Sequence, residues 1–289
     1  MRSGGRRTQG ITNQFQKNKP FITIVTVVRN GEKTLEQTIL SIINQSYLNL
    51  EYIIIDGEST DSTLNIIQKY ENKIDYWVSE SDKGIYDAMN KGIDLMAGEW
   101  VNFMNAGDYF YNADTINKTS YYLKDTSKEI VCGNALLFSD YFEVVYIPVE
   151  IENIQFRMPF CHQAVFVRRA TIKELKYNTS YLSSGDYDFF YRCFILGKQF
   201  LYIPEMIACF DMSKGVSKEN YRLLKMEDAK VRGKSLNIVE YFIVYAGYIA
   251  RKIAEHILPI KIIKKIKIKN LQTYFGKHNV IDKTLLKYK

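Results

Sequence analysis

FITIVTVVRNGEKTLEQTILSIINQSY, residues 21–47, is the segment that is most informative about the fold. Its opening run, FITIVTVV, is apolar and β-branched without interruption, which is typical of a strand buried on both faces of a parallel sheet. The chain then turns at RNGEK, and Leu35, Ile39 and Ile42 recur at helical spacing. We therefore predict a buried strand followed by a helix over residues 33–45.

The alternation of strand and helix continues along the next part of the chain. EYIIIDG, YWVSE and WVNFM predict strands at residues 51–57, 76–80 and 100–104. STDST is a capping sequence for the second helix, and GIYDAMNKGIDLMAGEW, residues 84–100, has the apolar spacing of an amphipathic helix that stops at Gly98. Such alternation predicts a parallel sheet with helices on its faces.

Polar residues collect where the predicted strands end. Ligands of parallel sheets bind beyond the carboxyl ends of the strands. The four strand ends are, in chain order, Arg29-Asn30, Asp56-Gly57, Ser79-Glu80 and Asn105 to Asp108. We therefore expect a binding site at this edge of the sheet.

The strict alternation ends near residue 129. EIVCGNALLF and YFEVVYI predict an antiparallel hairpin, and CHQAVFVRR, residues 161–169, predicts a further strand. A helix is expected from Asp186 to Gly197, and FLYIP and MIACFD predict two short strands after it.

The composition is that of a globular protein, with 289 residues, 46% of them hydrophobic and 25% charged. This length suffices for one large α/β domain, or for one domain with an appendage. Four widely spaced cysteines without a CxxC pair favour a thiol-bearing cytosolic protein over a disulfide scaffold or a zinc site. Residues 1–20 are polar and basic, lack the apolar core of a signal peptide, and are expected to be disordered. No window reaches the ~20 apolar residues of a membrane-spanning helix.

The net charge of +7 is concentrated at the C-terminal end of the chain. Residues 251–289 hold 11 Lys and Arg residues against Glu255 and Asp282. A strongly apolar stretch precedes this basic one, which favours interfacial amphipathic helices on an anionic membrane. The alternative is a helical hairpin that packs on the domain with a basic outer face. A nucleic-acid interface is disfavoured, because no recognition motif accompanies the charge.

Three common site motifs do not occur in the sequence. No GxGxxG follows the first strand, and neither GxxxxGK(S/T) nor GxSxG is found. A dinucleotide site is therefore disfavoured, as are a P-loop and a hydrolase nucleophile elbow.

Four stretches in order resemble the family 2 glycosyltransferases of GT-A fold. They are IVTVVRNGEKTLEQTILSIINQSY, YIIIDGESTDST, SDKGIYDAMNKGIDLMAGEWVNFMNAGDYFY and SSGDYDFFYRC. The resemblance, which covers about residues 21–212, implies an α/β fold with a mostly parallel, Rossmann-like sheet flanked by helices. The helical, basic C-terminal extension is predicted from the sequence of the tail itself. It also implies sugar transfer from a nucleotide-diphosphate donor to a hydroxyl, with inversion and with Mg²⁺ or Mn²⁺.

The expected division of the chain follows from this resemblance. Residues 21–215 would form the GT-A catalytic domain, with a nucleotide-binding half at 21–110 and an acceptor half at 111–215. Residues 216–289 would form the basic amphipathic extension. The QxxRW motif and multiple spans of processive members are missing, which implies an enzyme that adds a single sugar.

Several residues match donor-contacting positions of the family. Asp56 would contact the nucleotide base; read from the residues alone, it is equally a plain Asp-Gly turn. Val27, Arg29 and Glu32 match donor positions loosely. Lys83 stands where a strand end meets a helix start and suits a pyrophosphate, unless Asp82 caps the helix and Lys83 is solvated.

Asp108 is the predicted metal ligand. The family's DxD-type motif is reduced here to NAGD, so only its last acid survives. A hard cation can take one protein carboxylate and complete its shell with phosphate oxygens and water. Asn105 would serve a sugar hydroxyl. The alternative is a solvated turn after a strand.

Asp186 matches the acid that acts as general base in the family. Capping of its helix is the structural alternative. The preceding Glu of the family is replaced by Gly185, and Asp188 is the second candidate base.

His162 and Gln163 match a His-Gln pair of the subgroup, which implies a place near donor phosphate or acceptor. A hydrogen-bonded core histidine is the alternative for His162. Asp188 and Arg192 are also acceptor-side candidates, although Arg192 can pair with Asp188 at i+4 as a structural contact.

Together these features predict an inverting, non-processive hexosyl- or N-acetylhexosaminyl-transferase of surface-polysaccharide synthesis. The expected donor is a UDP-sugar, and the expected acceptor is a polyprenyl-diphosphate-linked or other saccharide. The predicted location is the cytoplasmic face of the plasma membrane, reached through the tail. The alternative is a non-catalytic nucleotide-sugar-binding or membrane scaffold protein on a degenerate GT-A fold.

Overall fold

The computed structural model describes residues 1–11, 16–140, 142–212, 221–234, 238–276 and 279–282. The strands are β1 Arg2–Gly4, β2 Ile22–Val28, β3 Leu50–Asp56, β4 Tyr76–Ser79, β5 Trp100–Phe103, β6 Tyr109–Phe110, β7 Ile130–Ser139, β8 Phe142–Tyr146, β9 Val165–Arg168, β10 Phe200–Asp211 and β11 Val280–Asp282. The α-helices are α1 Leu35–Ile43, α2 Thr63–Lys69, α3 Ile85–Leu95, α4 Thr115–Asp125, α5 Arg169–Leu175, α6 Gly185–Ile195, α7 Tyr221–Val231, α8 Ile238–Ile257 and α9 Ile260–Phe275.

These strands form one sheet in the order β1-β4-β3-β2-β5-β9-β7-β10-β6, with β8 on β7 and β11 on β8. The four strands β2 to β5 are mutually parallel, as the alternation of strand and helix predicted. β9 runs antiparallel to both β5 and β7, while β10 is parallel to β7. The predicted hairpin of β7 and β8 is confirmed.

Helices cover both faces of the sheet. Alternate residues of β2 point to opposite faces, so Ile24 joins one apolar cluster and Val25 joins the other. Residues of α1, α2 and α4 belong to the first cluster, and residues of α3, α5 and α6 to the second. β2 lies at the centre of this arrangement and is buried along its whole length, which explains its unbroken apolar sequence.

The N-terminal segment differs from the expectation of disorder. Arg2–Gly4 pairs antiparallel with β4, and the Arg7 guanidinium forms an ion pair with the buried carboxylate of Glu51. The basic side chains that suggested a solvated segment thus neutralise acids of the sheet. Residues 12–15 lie outside the described part of the chain.

Two local predictions are corrected. The two short strands expected around residue 204 are one strand, β10, because Pro204 interrupts the pairing between Tyr202 and Met206 without ending the strand. Gly98 does not stop α3, which ends at Leu95. A Cβ at position 98 would lie 2.6 Å from Thr23 Oγ1, so the glycine permits a close approach to β2 instead.

The described part of the C-terminal segment is joined to the sheet. β11 pairs with β8, Ile263 of α9 is buried, and Ile268 and Leu271 pack against the first apolar cluster. Packing on the domain, one of the two predicted alternatives, is therefore what α9 does. Residues 216–220, 235–237, 277–278 and 283–289 of the predicted extension lie outside the described residues. Within the described ranges, each helix is too short or too polar to cross a membrane.

Candidate active site

The loops that follow β2 and β3 are tied to each other. Asn30, which adopts a left-handed conformation with φ 53°, accepts the Thr60 N–H through Oδ1 at 2.9 Å. Ser59 Oγ accepts the Asn30 N–H at 2.7 Å. Glu32, a predicted donor residue, accepts the Ser62 N–H through Oε2 at 3.1 Å. Its carboxylate therefore also holds the two loops together.

A cleft of about 400 Å³ opens between these loops. Arg29, which directly precedes the lining residue Asn30, is exposed, whereas Val27 is buried within β2. The cleft is lined by Asn30, Gly31, Glu32, Lys33, Thr34 and Asp61.

Asp56 ends β3 and is fully buried. Its Oδ1 accepts the Ser59 hydroxyl at 2.5 Å, and its Oδ2 accepts the Ser79 hydroxyl at 2.7 Å and the Ser59 N–H at 3.2 Å. A carboxylate has about four acceptor sites, so three internal bonds leave capacity for one further donor. Asp56 thus has a definite structural part in holding the Ser59 loop, beside the base contact that the resemblance implies.

The loop after β4 contacts the end of β3. A Cβ at Gly57 would lie 2.2 Å from Asp82 Oδ2, so only glycine at that position lets Asp82 approach. Asp82 Oδ1 accepts the Gly84 N–H at 2.9 Å and shapes the turn that begins α3. Lys83 donates its backbone N–H to Asp87 Oδ2 at 3.0 Å, while its side chain is exposed.

Asp108 lies in the turn after β5 and is almost fully buried. Its Oδ2 accepts the Gln163 amide at 2.7 Å. Burial raises the pKa of Asp108 to about 7, although the Gln163 hydrogen bond and the nearby His162 lower it, and the Asp211 charge contributes in the raising direction. Where only neutral donors contact a buried carboxylate, a bound cation stabilises its ionised form. Asp108 is therefore buried and hydrogen-bonded within the protein, which differs from the alternative of a solvated turn.

Gln163 holds Asp108 from a second element. It is 2% exposed, its Oε1 accepts the Cys161 thiol at 2.9 Å, and its backbone carbonyl accepts the Asn102 amide at 2.8 Å. From the other side, Thr38 Oγ1 donates to the Asp108 carbonyl at 2.8 Å. The turn is fixed by α1, β5 and the 3-10 turn before β9.

His162, the residue before Gln163, contacts the other predicted catalytic acid. Its Nδ1 lies 3.0 Å from Asp186 Oδ2, and its Nε2 lies 3.4 Å from Asn105 Nδ2. The Tyr86 hydroxyl donates to Asp186 Oδ1 at 3.1 Å. His162 is therefore hydrogen-bonded, as its structural alternative required, but its partner is Asp186.

The contact between His162 and Asp186 shifts the pKa of both residues. Burial alone would lower the pKa of His162, but the hydrogen bond and charge of Asp186 raise it above the ordinary value. Burial would raise the pKa of Asp186, but the hydrogen bond and charge of His162, with the Tyr86 hydroxyl, lower it. Asp186 is thus held as an anion.

Asp188 and Arg192 form a separate group. Arg192 Nε donates to Asp188 Oδ2 at 2.8 Å, which confirms the predicted i+4 pair. The same guanidinium donates to the carbonyls of Leu175 and Lys176, at 2.9 and 2.7 Å. The pair joins α6 to the end of α5. Of the two candidate acids, Asp186 is the one that His162 contacts.

Tyr86 explains why glycine replaces the family's Glu before Asp186. A Cβ at Gly185 would lie 2.7 Å from the Tyr86 ring. The ring occupies the space of a larger side chain, and its hydroxyl reaches Asp186. Sequence reasoning missed Tyr86, because the apolar spacing of α3 gave no sign of a distant partner for its hydroxyl.

A second missed residue is Glu227 of α7. Its carboxylate accepts the backbone N–H groups of Leu182, Ser183 and Ser184, directly before α6. No local pattern could reveal this contact, because the two segments are more than 40 residues apart.

The donor atoms near Asp108 fit a hard cation. Within the described ranges, no group of three or more His, Cys, Asp and Glu residues could hold a metal ion. Asn105 Oδ1 is buried and lacks a hydrogen-bond partner there, three residues before Asp108. One carboxylate and one amide oxygen suit a divalent cation that takes its other ligands from phosphate and water.

Comparison with known proteins gives the same assignment. The sequence profile of "Glycosyl transferase family 2" matches residues 23–182. The PGL/p-HBAD biosynthesis glycosyltransferase of Mycobacterium tuberculosis is 31% identical over 180 residues, which are 61% of this chain and 70% of that protein.

Two solved structures have similar folds. The mannosyltransferase PcManGT of Pyrobaculum calidifontis, in complex with GDP-Man and Mn²⁺, has a TM-score of 0.60 and 16% identity over 93% of this chain and 88% of that one. S. aureus TarS 1-349 with UDP-GlcNAc has a TM-score of 0.58 and 16% identity over 79% of this chain and 71% of that one. The chain has the GT-A fold and belongs to the family 2 glycosyltransferases.

Proposed function

We propose that this glycosyltransferase moves a sugar from a nucleotide-diphosphate donor, first of all a UDP-sugar, to a hydroxyl of a lipid-linked oligosaccharide. The proposed reaction is a single displacement with inversion, assisted by a divalent metal. One observation carries the proposal: the consecutive residues His162 and Gln163 contact the two candidate carboxylates, Asp186 and Asp108. An acid that is kept ionised and an acid whose burial favours a bound cation are therefore both held by one short segment.

Asp186 is the proposed general base. The acceptor oxygen attacks the anomeric carbon, the bond from that carbon to the diphosphate oxygen breaks, and the acceptor proton passes to an Asp186 oxygen. The lowered pKa of Asp186 supports this role, because the carboxylate is ionised and able to accept at neutral pH. His162 and Tyr86 restrict its orientation.

Asp108 and Asn105 are the proposed protein ligands of Mg²⁺ or Mn²⁺. When bound, the metal neutralises the negative charge that develops on the leaving diphosphate. Gln163 and Thr38 keep the Asp108 turn in place for this purpose. A further carboxylate is not required, since the diphosphate itself supplies oxygen ligands.

The nucleotide would be held by the loops after the parallel strands. Asp56 has one unused acceptor site, and because it is fully buried, the Ser59 loop would have to move before an N–H of the base could reach it. Arg29 and Lys83 provide exposed cations for phosphate. The cleft beside Glu32 and Asp61 is of the size class of small-ligand sites.

The scaffold alternative rests on the reduced NAGD motif and on Gly185. The Asn105 oxygen and the Tyr86 hydroxyl offset these losses, since each supplies a polar group at the affected acid. We therefore favour catalysis.

A thermal-shift panel tests the donor and metal assignments. We expect one of UDP-, GDP- or dTDP-sugars to raise the Tm, and the rise to be larger with Mn²⁺ than with EDTA, because a ligand that binds only the folded state stabilises it. At 100 times the Kd the stabilisation is about 2.7 kcal/mol. A panel without any shift, in protein shown to be folded, would contradict the proposal.

We also propose that the C-terminal helices bind an anionic membrane surface. α8 exposes one apolar stripe at helical spacing, which consists of Phe242, Tyr245, Ile249, Ile253 and Ile257. In α9, part of the apolar surface packs on the domain, and Lys261, Lys265 and Lys269 form an exposed row at i, i+4 and i+8. Apolar and basic surfaces in succession suit an interfacial contact with acidic lipid.

Reversing the charge of the α9 row tests this contact. The triple variant Lys261→Glu, Lys265→Glu, Lys269→Glu is expected to lose co-sedimentation with vesicles that contain phosphatidylserine, at roughly 1 kcal/mol for each lysine near the surface. Donor binding should be unchanged. The matched control is Lys118→Glu, Lys124→Glu, Lys173→Glu, which makes the same change of net charge elsewhere. Equal sedimentation of both variants with the wild type would disprove the role of the row.

A further inference from the structure

Glu227 of α7 binds the segment that leads into α6. Glu227 is 8% exposed. Oε1 accepts the Leu182 N–H at 2.8 Å, and Oε2 accepts the N–H groups of Ser183 and Ser184 at 2.8 and 2.9 Å. The next residue of α7, Asp228, accepts the Ser184 hydroxyl at 2.9 Å. Two adjacent carboxylates thus hold three consecutive residues.

Glu227 is the acceptor of the three backbone N–H groups of this segment. Ser184 is the N-cap of α6 but makes no side-chain capping bond to the helix. Hydrogen bonds from N–H groups to a carboxylate are stronger than those between neutral groups. Among the described residues, Glu227 forms no ion pair with Lys or Arg, so backbone N–H groups are its polar partners. Its charge therefore serves to fix the chain path.

Asp186 lies two residues after this segment. The preceding residue, Gly185, packs against the Tyr86 ring, and the carboxylate of Asp186 is hydrogen-bonded by His162 and by the Tyr86 hydroxyl. A change in the position of Ser184 would move the first turn of α6, and with it the carboxylate. The positions of catalytic groups matter at the level of about an ångström.

We propose that Glu227 is a positioning residue of the transfer reaction, which acts by holding Leu182 to Ser184 and so aiming Asp186 at the acceptor hydroxyl. The inference rests on the proposed role of Asp186 as base. It also makes α7 part of the catalytic unit, although the sequence assigned it to the extension that begins at residue 216.

The test compares Glu227→Gln with wild type in the full-length protein. The amide keeps the shape but presents an NH₂ group to either the Leu182 N–H or the Ser183 and Ser184 N–H groups. We expect kcat for transfer to fall by about 10- to 100-fold, which corresponds to the loss of hydrogen bonds to a charged group. The KM for the donor and the nucleotide-induced rise in Tm should stay within about twofold of wild type, because the donor site is built by other loops.

Two further variants separate positioning from stability. Glu227→Asp retains the charge with a shorter reach and should recover part of kcat. Met226→Gln alters the exposed neighbour on α7 and should match wild type. All rates are taken per folded molecule, below the Tm of each variant.

A lower Tm with unchanged kcat for Glu227→Gln would overturn the inference, since that result describes a purely structural residue. A parallel fall in kcat and in donor affinity would overturn it as well. Failure of the proposed function is distinguishable: in that case Asp186→Asn retains the wild-type rate, whatever Glu227→Gln does.

Discussion

Asp186→Asn is expected to lower kcat for sugar transfer by about two to four orders of magnitude, the usual contribution of a general base. The amide has nearly the same shape and keeps an oxygen for the Tyr86 hydroxyl, but it cannot accept the acceptor's proton. The donor loops do not involve this side chain, so the KM for the donor should change little. Steady-state kinetics with the donor that the thermal-shift panel identifies measure both quantities.

The pH dependence of the wild type gives a second readout of the same residue. The lowered pKa of Asp186 means that the carboxylate stays ionised through the range in which an ordinary aspartate titrates, and is protonated only at lower pH. The acid limb of the kcat/KM profile that belongs to this base should therefore lie below the pKa of a free aspartate, and should vanish in Asp186→Asn.

The control is Asp125→Asn, an exposed aspartate at the end of α4, next to the start of β7 and thus at the opposite edge of the sheet. It should have the wild-type rate. A wild-type rate for Asp186→Asn, or a far larger loss for Asp188→Asn than for Asp186→Asn, would move the base to another residue.

Asp108→Ala is expected to remove most of the metal-dependent activity. The change deletes the carboxylate that we propose as the protein's charged metal ligand, and stabilisation of the leaving diphosphate is worth several kcal/mol, so kcat/KM should fall by at least about 10²-fold. The Tm of the ligand-free protein should change little by comparison. The burial that raises the pKa of Asp108 means that its charged form destabilises the folded state, so removing the carboxylate also removes this penalty.

Added Mn²⁺ distinguishes a metal ligand from a residue that only shapes the turn. Wild-type activity should saturate with Mn²⁺ and be lost in EDTA, whereas Asp108→Ala should respond weakly across the same range. Asp125→Ala serves as the matched control. Full recovery of Asp108→Ala at high Mn²⁺, with wild-type kcat, would show that other groups hold the metal.

The parallel half of the fold was predictable because its signals are local. The run at β2, the helical spacing of α1 and the polar strand ends each report one element, and the rules for parallel sheets bring those ends to one edge. Asp56 and Asp108 could be placed there for this reason. Asp186 required the family resemblance, since a helix start with an acid is common in any fold.

The missed features depend on contacts between distant segments. The ion pair of Arg7 with Glu51, the fit of Gly185 against Tyr86 and the hold of Glu227 on Ser184 join parts of the chain that share no periodicity. Gly98 was misread because a close approach to β2 and a helix stop call for the same residue. The sequence singles out His162 and Gln163, but only the fold reveals that they contact different acids, Asp186 and Asp108.

The most direct test of a metal site built on one carboxylate is the EPR signal of free Mn²⁺. The ion is titrated into wild type and Asp108→Ala, each with the nucleoside diphosphate of the donor, and into the nucleotide alone. If Asp108 holds the metal, wild type removes one equivalent of the free-ion signal beyond the nucleotide control, and Asp108→Ala removes no more than that control. Equal removal by both proteins would disprove the assignment of Asp108.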